Sequence, residues 1–195
     1  MNEGLFNSLK LLDNEITERD KNIIKLQLEC KEVNAKKILV RCVYDYPQII
    51  QLTPIKVTGG RPEINYGAIS NIIWLTCPYL NDKIHKLESV GFIEKIESFI
   101  QNDAALKIIM DEAHVHFYFM RSNLLEQVTE HLPPKKRMRI FNKGVGGTKD
   151  ISTLKCLHMH YSHFRLYNNN LAGYITNKLL DEKVNCNEVI CKNAE

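Results

Sequence analysis

No stretch of the chain approaches the ~18 consecutive apolar residues that a membrane span needs. The longest apolar run, Ile69 to Leu75, is strand-sized and carries Ser70 and Asn71. The opening residues, Met1 to Leu12, have no basic start followed by a long apolar run, so no secretory signal is expected. Charge of one sign is scarce: 26 Lys and Arg against 23 Asp and Glu leave a net charge of +3. That is too mild to argue for nucleic acid. The one basic cluster, Lys135-Lys136-Arg137-Met138-Arg139, follows two prolines and reads as a solvated loop. No internal repeat or low-complexity tract is present. No Cys-x2-Cys pair, the strong sign of a closed zinc site, occurs. The Gly144-Val145-Gly146-Gly147 stretch lacks the Gly-Lys-Ser/Thr ending of a phosphate loop. These gaps predict a cytosolic protein with neither a membrane nor a nucleic-acid partner.

What is present is ordinary in bulk and unusual in one place. A chain of 195 residues, 44% apolar and 25% charged, suits one domain that buries its own core. The expected organisation is a loose segment over 1–16, a single domain over 17–184 and a polar tail over 185–195. Six cysteines in a reducing compartment are more often free, metal-bound or catalytic than paired. The unusual place is Lys155-Cys156-Leu157-His158-Met159-His160-Tyr161-Ser162-His163. If this run is helical, each residue turns the chain by ~100°. Cys156, His160 and His163 then fall on one stripe, and His158 points away unless the first turn is not helical. One thiol and two imidazoles on one face suit zinc or iron.

The local patterns give a coarse fold. Thr17 followed by Glu18 and Asp20 reads as a helix start, with the helix running to about residue 32. Lys37–Val43 and Gln48–Leu52 are β-rich runs around a turn at Tyr44-Asp45-Tyr46-Pro47, which predicts a hairpin. Thr58 to Pro62 is a second turn, and Ile69–Thr76 is a strand. Pro78 opens a helix that Gly91 ends. A short helix follows around Phe92 to Phe99, then a long one over about 103–129. Two further helices are expected over about 150–167 and 171–184. Strands gather before residue 77 and helices after it. This segregation predicts an α+β fold with a small, mainly antiparallel sheet and a helical second half.

Several pieces together resemble the bacterial family known as domain of unknown function 501. They are Arg41-Cys42 with Pro47, Trp74-Leu75-Thr76-Cys77-Pro78, and Ala113-His114 with Arg121. The Gly144–Gly147 stretch, Lys155-Cys156-Leu157-His158 with His163, and a trailing Asn-Asn-Leu-Ala-Gly complete the set. The likeness runs from about residue 17 to 180. It implies a cytoplasmic bacterial protein and assigns no reaction. It also implies gene company with a division-septum coiled-coil protein and an exopolyphosphatase. Tyr44 stands where many members carry a second Cys, and the shared ligand-type residues are Cys42, Cys77, Cys156, His158 and His163.

Three functional readings follow. In the first, Cys42, Cys77 and Cys156 with His163 form a shell for zinc, iron or an iron–sulfur centre, with His158 or His160 as substitutes. In the second, Cys77 or Cys156 is a nucleophile made acidic by a helix N-terminus. His158 or His163 is then the base, and His114, Arg121, Gly146, Gly147 and Lys155 bind an anionic small molecule. In the third, the chain is a non-enzymatic adaptor linked to cell division or phosphate metabolism. The identity of any protein partner stays open, and the helix-rich second half leaves room for a homodimer face.

Overall fold

Thr17 opens the first helix by a reciprocal cap. Its hydroxyl accepts from the Asp20 amide at 3.1 Å, and the Asp20 carboxylate accepts from the Thr17 amide at 3.2 Å, so two orphan donors of the helix start are satisfied. The helix, α1, spans Glu18–Gln27 and stops short of residue 32, with Glu29 in the left-handed region at φ 50°. This computed structural model describes residues 16–53, 55–58, 61–64, 71–129, 134–135, 138 and 143–191.

The expected hairpin forms. Strands β1 (Ala35–Arg41) and β2 (Pro47–Leu52) pair antiparallel. The turn between them closes with the Cys42 amide on Tyr46 O and the Asp45 amide on Cys42 O. A bidentate ion pair ties the hairpin to α1: Arg41 places its two terminal nitrogens 2.9 and 3.0 Å from the Asp20 carboxylate oxygens. β3 (Ile55–Thr58) and β4 (Arg61–Ile64) pair with each other. They flank the expected turn, whose residues 59–60 lie outside the described ones. β5 (Ile73–Leu75) pairs antiparallel with β2 and completes a three-stranded sheet in the order β1-β2-β5. It is shorter than the predicted Ile69–Thr76 strand, whose residues 69–70 lie outside the described ones.

The second half is helical: α2 (Pro78–Ser89), α3 (Phe92–Gln101), α4 (Ala104–Thr129), α5 (Leu157–Tyr167) and α6 (Leu171–Leu179). The fold is α+β, with the antiparallel sheet in the N-terminal half and the helices mostly C-terminal. Gly91, at φ 80°, turns the chain between α2 and α3 in a conformation that a Cβ disfavours. The main core joins Ile49, Ile73 and Leu75 of the sheet to Leu80, Phe117 and Tyr161 of α2, α4 and α5. Complete burial of such side chains stabilises by roughly 1.5–3 kcal/mol each.

One predicted helix is wrong in a way that moves the site. The expected helix over 150–167 begins only at Leu157, and Cys156 is its N-cap in extended backbone at φ −160°, ψ 117°. The preceding residues make turns instead. The Asp150 carboxylate accepts from the Ser152 amide at 2.9 Å, and Glu97 and Glu88 accept the amides of Leu154 and Leu157. Acidic side chains that satisfy these amides replace the helical hydrogen bonds. The predicted stripe of Cys156, His160 and His163 therefore does not exist as one helical face.

Candidate metal centre

With Cys156 in extended backbone, its thiol swings away from His160 and His163 and meets His158 instead. Sγ lies 3.7 Å from His158 Nδ1. The same nitrogen is 3.1 Å from Glu88 Oε1. Glu88 comes from the last turn of α2, and its Oε1 also accepts the Leu157 amide at 2.7 Å. The helix N-terminus of α5 is thus clamped to α2 by one carboxylate. Glu88, Cys156 and His158 each offer one ligand atom, and these atoms all lie within 4.8 Å of one another. Among the described residues this is the one group of three such side chains. All three are partly exposed, so an ion can reach them.

The far nitrogen of His158 decides the electronic state of the near one. Nε2 lies 3.2 Å from the carbonyl oxygen of Asn81. A carbonyl can only accept, so Nε2 carries a proton. Nδ1 then either holds a second proton or turns a lone pair toward Glu88 and Cys156. A backbone carbonyl on the outer nitrogen is a common way to orient a metal-bound imidazole. In the absence of an ion, burial disfavours the imidazolium. Hydrogen bonds to Cys156 and Glu88 outweigh it and push the His158 pKa up to about 10. The Glu88 carboxyl follows the same logic. Burial raises its pKa, but the hydrogen bond from His158 outweighs that and holds it below the usual range. The pocket favours positive charge between an acid and a thiol, and a divalent cation meets that demand.

The remaining predicted site residues separate into three places. Cys42 and Cys77 line a small cavity together with Cys186 and Cys191, not with Cys156. No shell of Cys42, Cys77, Cys156 and His163 is assembled, because the sheet edge and the start of α5 face different neighbours. Burial also pushes the Cys77 thiol up to about 11, more than the amides of Leu80 and Tyr79 at the start of α2 pull it down. Desolvation wins over the helix dipole here, and Cys77 is a poor nucleophile.

His160 and His163 form a buried polar network. The Asn170 side chain caps α6 by accepting the Gly173 amide at 2.9 Å. Its amide nitrogen lies 3.2 Å from both His160 Nδ1 and His163 Nδ1. His163 Nε2 is in turn 2.9 Å from His116 Nδ1. Burial pushes His160 and His163 down to about 3, so both rings are neutral. Their place is between α4, α5 and the start of α6.

His114 and Arg121 hold the 143–147 segment. The Val145 amide donates to His114 Nδ1 at 3.0 Å. Arg121 donates to Lys143 O at 2.5 Å and to Gly144 O at 3.2 Å. Gly146 and Gly147 form a buried 3-10 turn at φ 70° and 76°, and Lys155 beside them is exposed. Through these bonds His114 and Arg121 both grip the backbone of this loop. Glu88 escaped sequence reading because nothing near it in the chain marks a ligand: it lies 70 residues from His158 in an ordinary amphipathic helix.

The family model described as protein of unknown function (DUF501) matches residues 38–178. The chain belongs to this family. The matched stretch holds Cys42, Cys77, Glu88, Cys156 and His158, and it ends before Cys186 and Cys191. No curated protein and no solved structure matches the chain. Among the described residues, no helix is long and apolar enough to cross a membrane.

Proposed function

We propose that this DUF501 chain is a metal-binding protein of the bacterial cytosol, and that Glu88, Cys156 and His158 hold one divalent zinc-class ion. The observation that carries this reading is the shared nitrogen: His158 Nδ1 faces both the thiol and the carboxylate while Nε2 is engaged by a carbonyl. Cys, His and Glu are all ordinary zinc ligands, and a thiolate, a carboxylate and a neutral imidazole balance the charge of a divalent ion. Three protein ligands leave a fourth position open, the pattern of zinc sites that activate water. Ferrous iron fits the same donor set less well, because the thiolate favours the softer ion.

A thiol enzyme is the second reading, supported by the 3.7 Å approach of Cys156 to His158. Its geometry is less suitable. In a nucleophile–base–acid relay the acid orients the base through the nitrogen opposite the nucleophile. Here Glu88 and Cys156 share one nitrogen, which is the arrangement of ligands around an ion. Elemental analysis of tag-free protein purified without oxygen separates the two. The metal reading expects zinc in the wild type and one equivalent per chain fewer in both Cys156→Ala and His158→Ala. Unchanged metal content in these variants overturns it. Fast alkylation of Cys156 in zinc-treated wild type, lost in His158→Ala, supports the thiol enzyme instead.

A further inference from the structure

Four of the six cysteines in the chain converge on a second place. Cys42 follows β1, Cys77 caps the start of α2, and Cys186 and Cys191 belong to the C-terminal segment. All four line one small, partly open cavity of about 10 Å³, room for a single water-sized occupant. A packing role alone would scatter cysteines through the core. Here three separate parts of the chain bring cysteines to the lining of one cavity.

The tail is not draped at random. Gln48 Nε2 donates to Val184 O at 2.6 Å, and the Val43 amide donates to Asn185 Oδ1 at 3.2 Å. Tyr44 Oη donates to the carbonyls of Cys186 and Asn187 at 3.3 and 3.1 Å. Gln27 Nε2 donates to Pro47 O at 2.9 Å and to Cys191 Sγ at 3.3 Å. An N–H directed at a sulfur is the outer-sphere support that metal-bound thiolates receive. Gln27 is itself only 9% exposed and lines the same cavity. Its Oε1 is buried without a hydrogen-bond partner, so the cavity wall carries a polar group that the protein alone does not satisfy.

We infer that Cys42, Cys77, Cys186 and Cys191 form a second metal site, a four-thiolate clip for one zinc-class ion that staples the C-terminal segment to the hairpin. The four-residue gap between Cys186 and Cys191 lies within the range seen in zinc-binding cysteine pairs. Four thiolates are a closed, structural donor set, unlike the open set at Glu88. The size of the cavity favours a single ion over an iron–sulfur cluster. No three of the four sulfurs lie within 4.8 Å of one another. Zn–S bonds of ~2.3 Å therefore require the 186–191 segment to draw inward as the ion binds. Binding releases the four thiol protons and changes no oxidation state.

Cobalt(II) titration of the reduced, full-length Cys156→Ala protein tests this apart from the Glu88 centre. The expected result is one equivalent of tetrahedral cobalt with a strong thiolate charge-transfer band, displaced by zinc. The band should vanish in Cys156→Ala with Cys186→Ser and Cys191→Ser added, and persist when Cys30→Ser is added instead. Circular dichroism of the serine variants before titration shows that the fold is retained. If the triple variant loses the fold, Cys191→His replaces it, which should keep cobalt bound with a weaker charge-transfer band. No charge-transfer band in the Cys156→Ala protein, a band that survives loss of Cys186 and Cys191, or an unchanged band in Cys191→His overturns the site. So does a mass two hydrogens lighter without metal, which would identify a disulfide.

Discussion

Single side chains show how strongly burial alone decides chemistry in this molecule. Arg121 is completely buried, and burial pushes its pKa down to about 10, which leaves it charged at neutral pH. Its charge is placed over the ring of Phe117, 5.0 Å from the centroid, and its fork reaches the carbonyls of Lys143 and Gly144. The guanidinium therefore serves as an internal strut for the 143–147 segment, which in turn lies against Cys156 through Gly146. Truncating it removes the hydrogen bonds to both carbonyls, of which the Gly144 carbonyl keeps another donor, the Gly147 amide. Arg121→Ala should destabilise by about 3 kcal/mol or more, read as a drop in the urea midpoint. Arg121→Lys should recover only part of this, because an ammonium cannot reproduce the fork. Full recovery by Lys would show that only charge matters at this position.

At the scale of elements, the tightest constraint is the crossing of α5 and α6. A Cβ on Gly173 would stand 2.1 Å from the backbone oxygen of His160 and 2.5 Å from Phe164 Cβ. Backbone cannot yield as a flexible side chain can, so the helices must part. Their separation would pull Asn170 away from His160 and His163. Gly173→Ala should cost about 1–3 kcal/mol, measured by thermal melting. A neutral or stabilising effect would mean that the helices do not pack this closely. The late start of α5 has a separate cause in its neighbours. Glu88 of α2 accepts the amide of the first α5 residue, Leu157, and Glu97 of α3 accepts the amide of Leu154 just before it, and this places Cys156 beside α2. A helix begun at residue 150 would have pointed His158 elsewhere.

For the whole molecule, the buried imidazoles tie folding to pH. Burial holds His114 down to about 4 and His163 down to about 3, against an unfolded value near 6.5. Both are neutral when folded, while the unfolded chain takes up their protons below pH 6.5. Stability from this source is complete above pH 6.5 and is lost as pH falls toward 3–4. Each group contributes a slope of roughly 1 kcal/mol per pH unit in that window. Asp20 adds to the loss at lower pH. Burial raises its pKa, but the hydrogen bond from Arg41 outweighs this and keeps it depressed. For this contribution, urea unfolding should show a level midpoint from pH 7.5 to about 6.5 and a fall from there to pH 4.5, shallower in His163→Gln. A flat profile would mean that these rings are not neutral inside the fold.

The sequence alone was enough for what depends on short-range pattern. The α1 cap at Thr17, the hairpin across Tyr44–Pro47, Pro78 at a helix start and the long helix α4 are all set by residues within a few positions of one another. So is the order of strands before helices, and with it the α+β class and the family. The chemistry was half legible. Cys156 and His158 stand out in the chain, but the sequence paired Cys156 with His160 and His163 and turned His158 away, through a helical start that acidic side chains on α2 and α3 prevent. Glu88 could not be foreseen, and neither could the meeting of Cys42 and Cys77 with Cys186 and Cys191. These groupings join residues 68 to 149 positions apart, and only the packing of α2 against α5 and of the tail on the hairpin brings them together. Local hydrogen bonding writes the elements, whereas ligand sets are chosen by which buried surfaces face each other once the chain has closed.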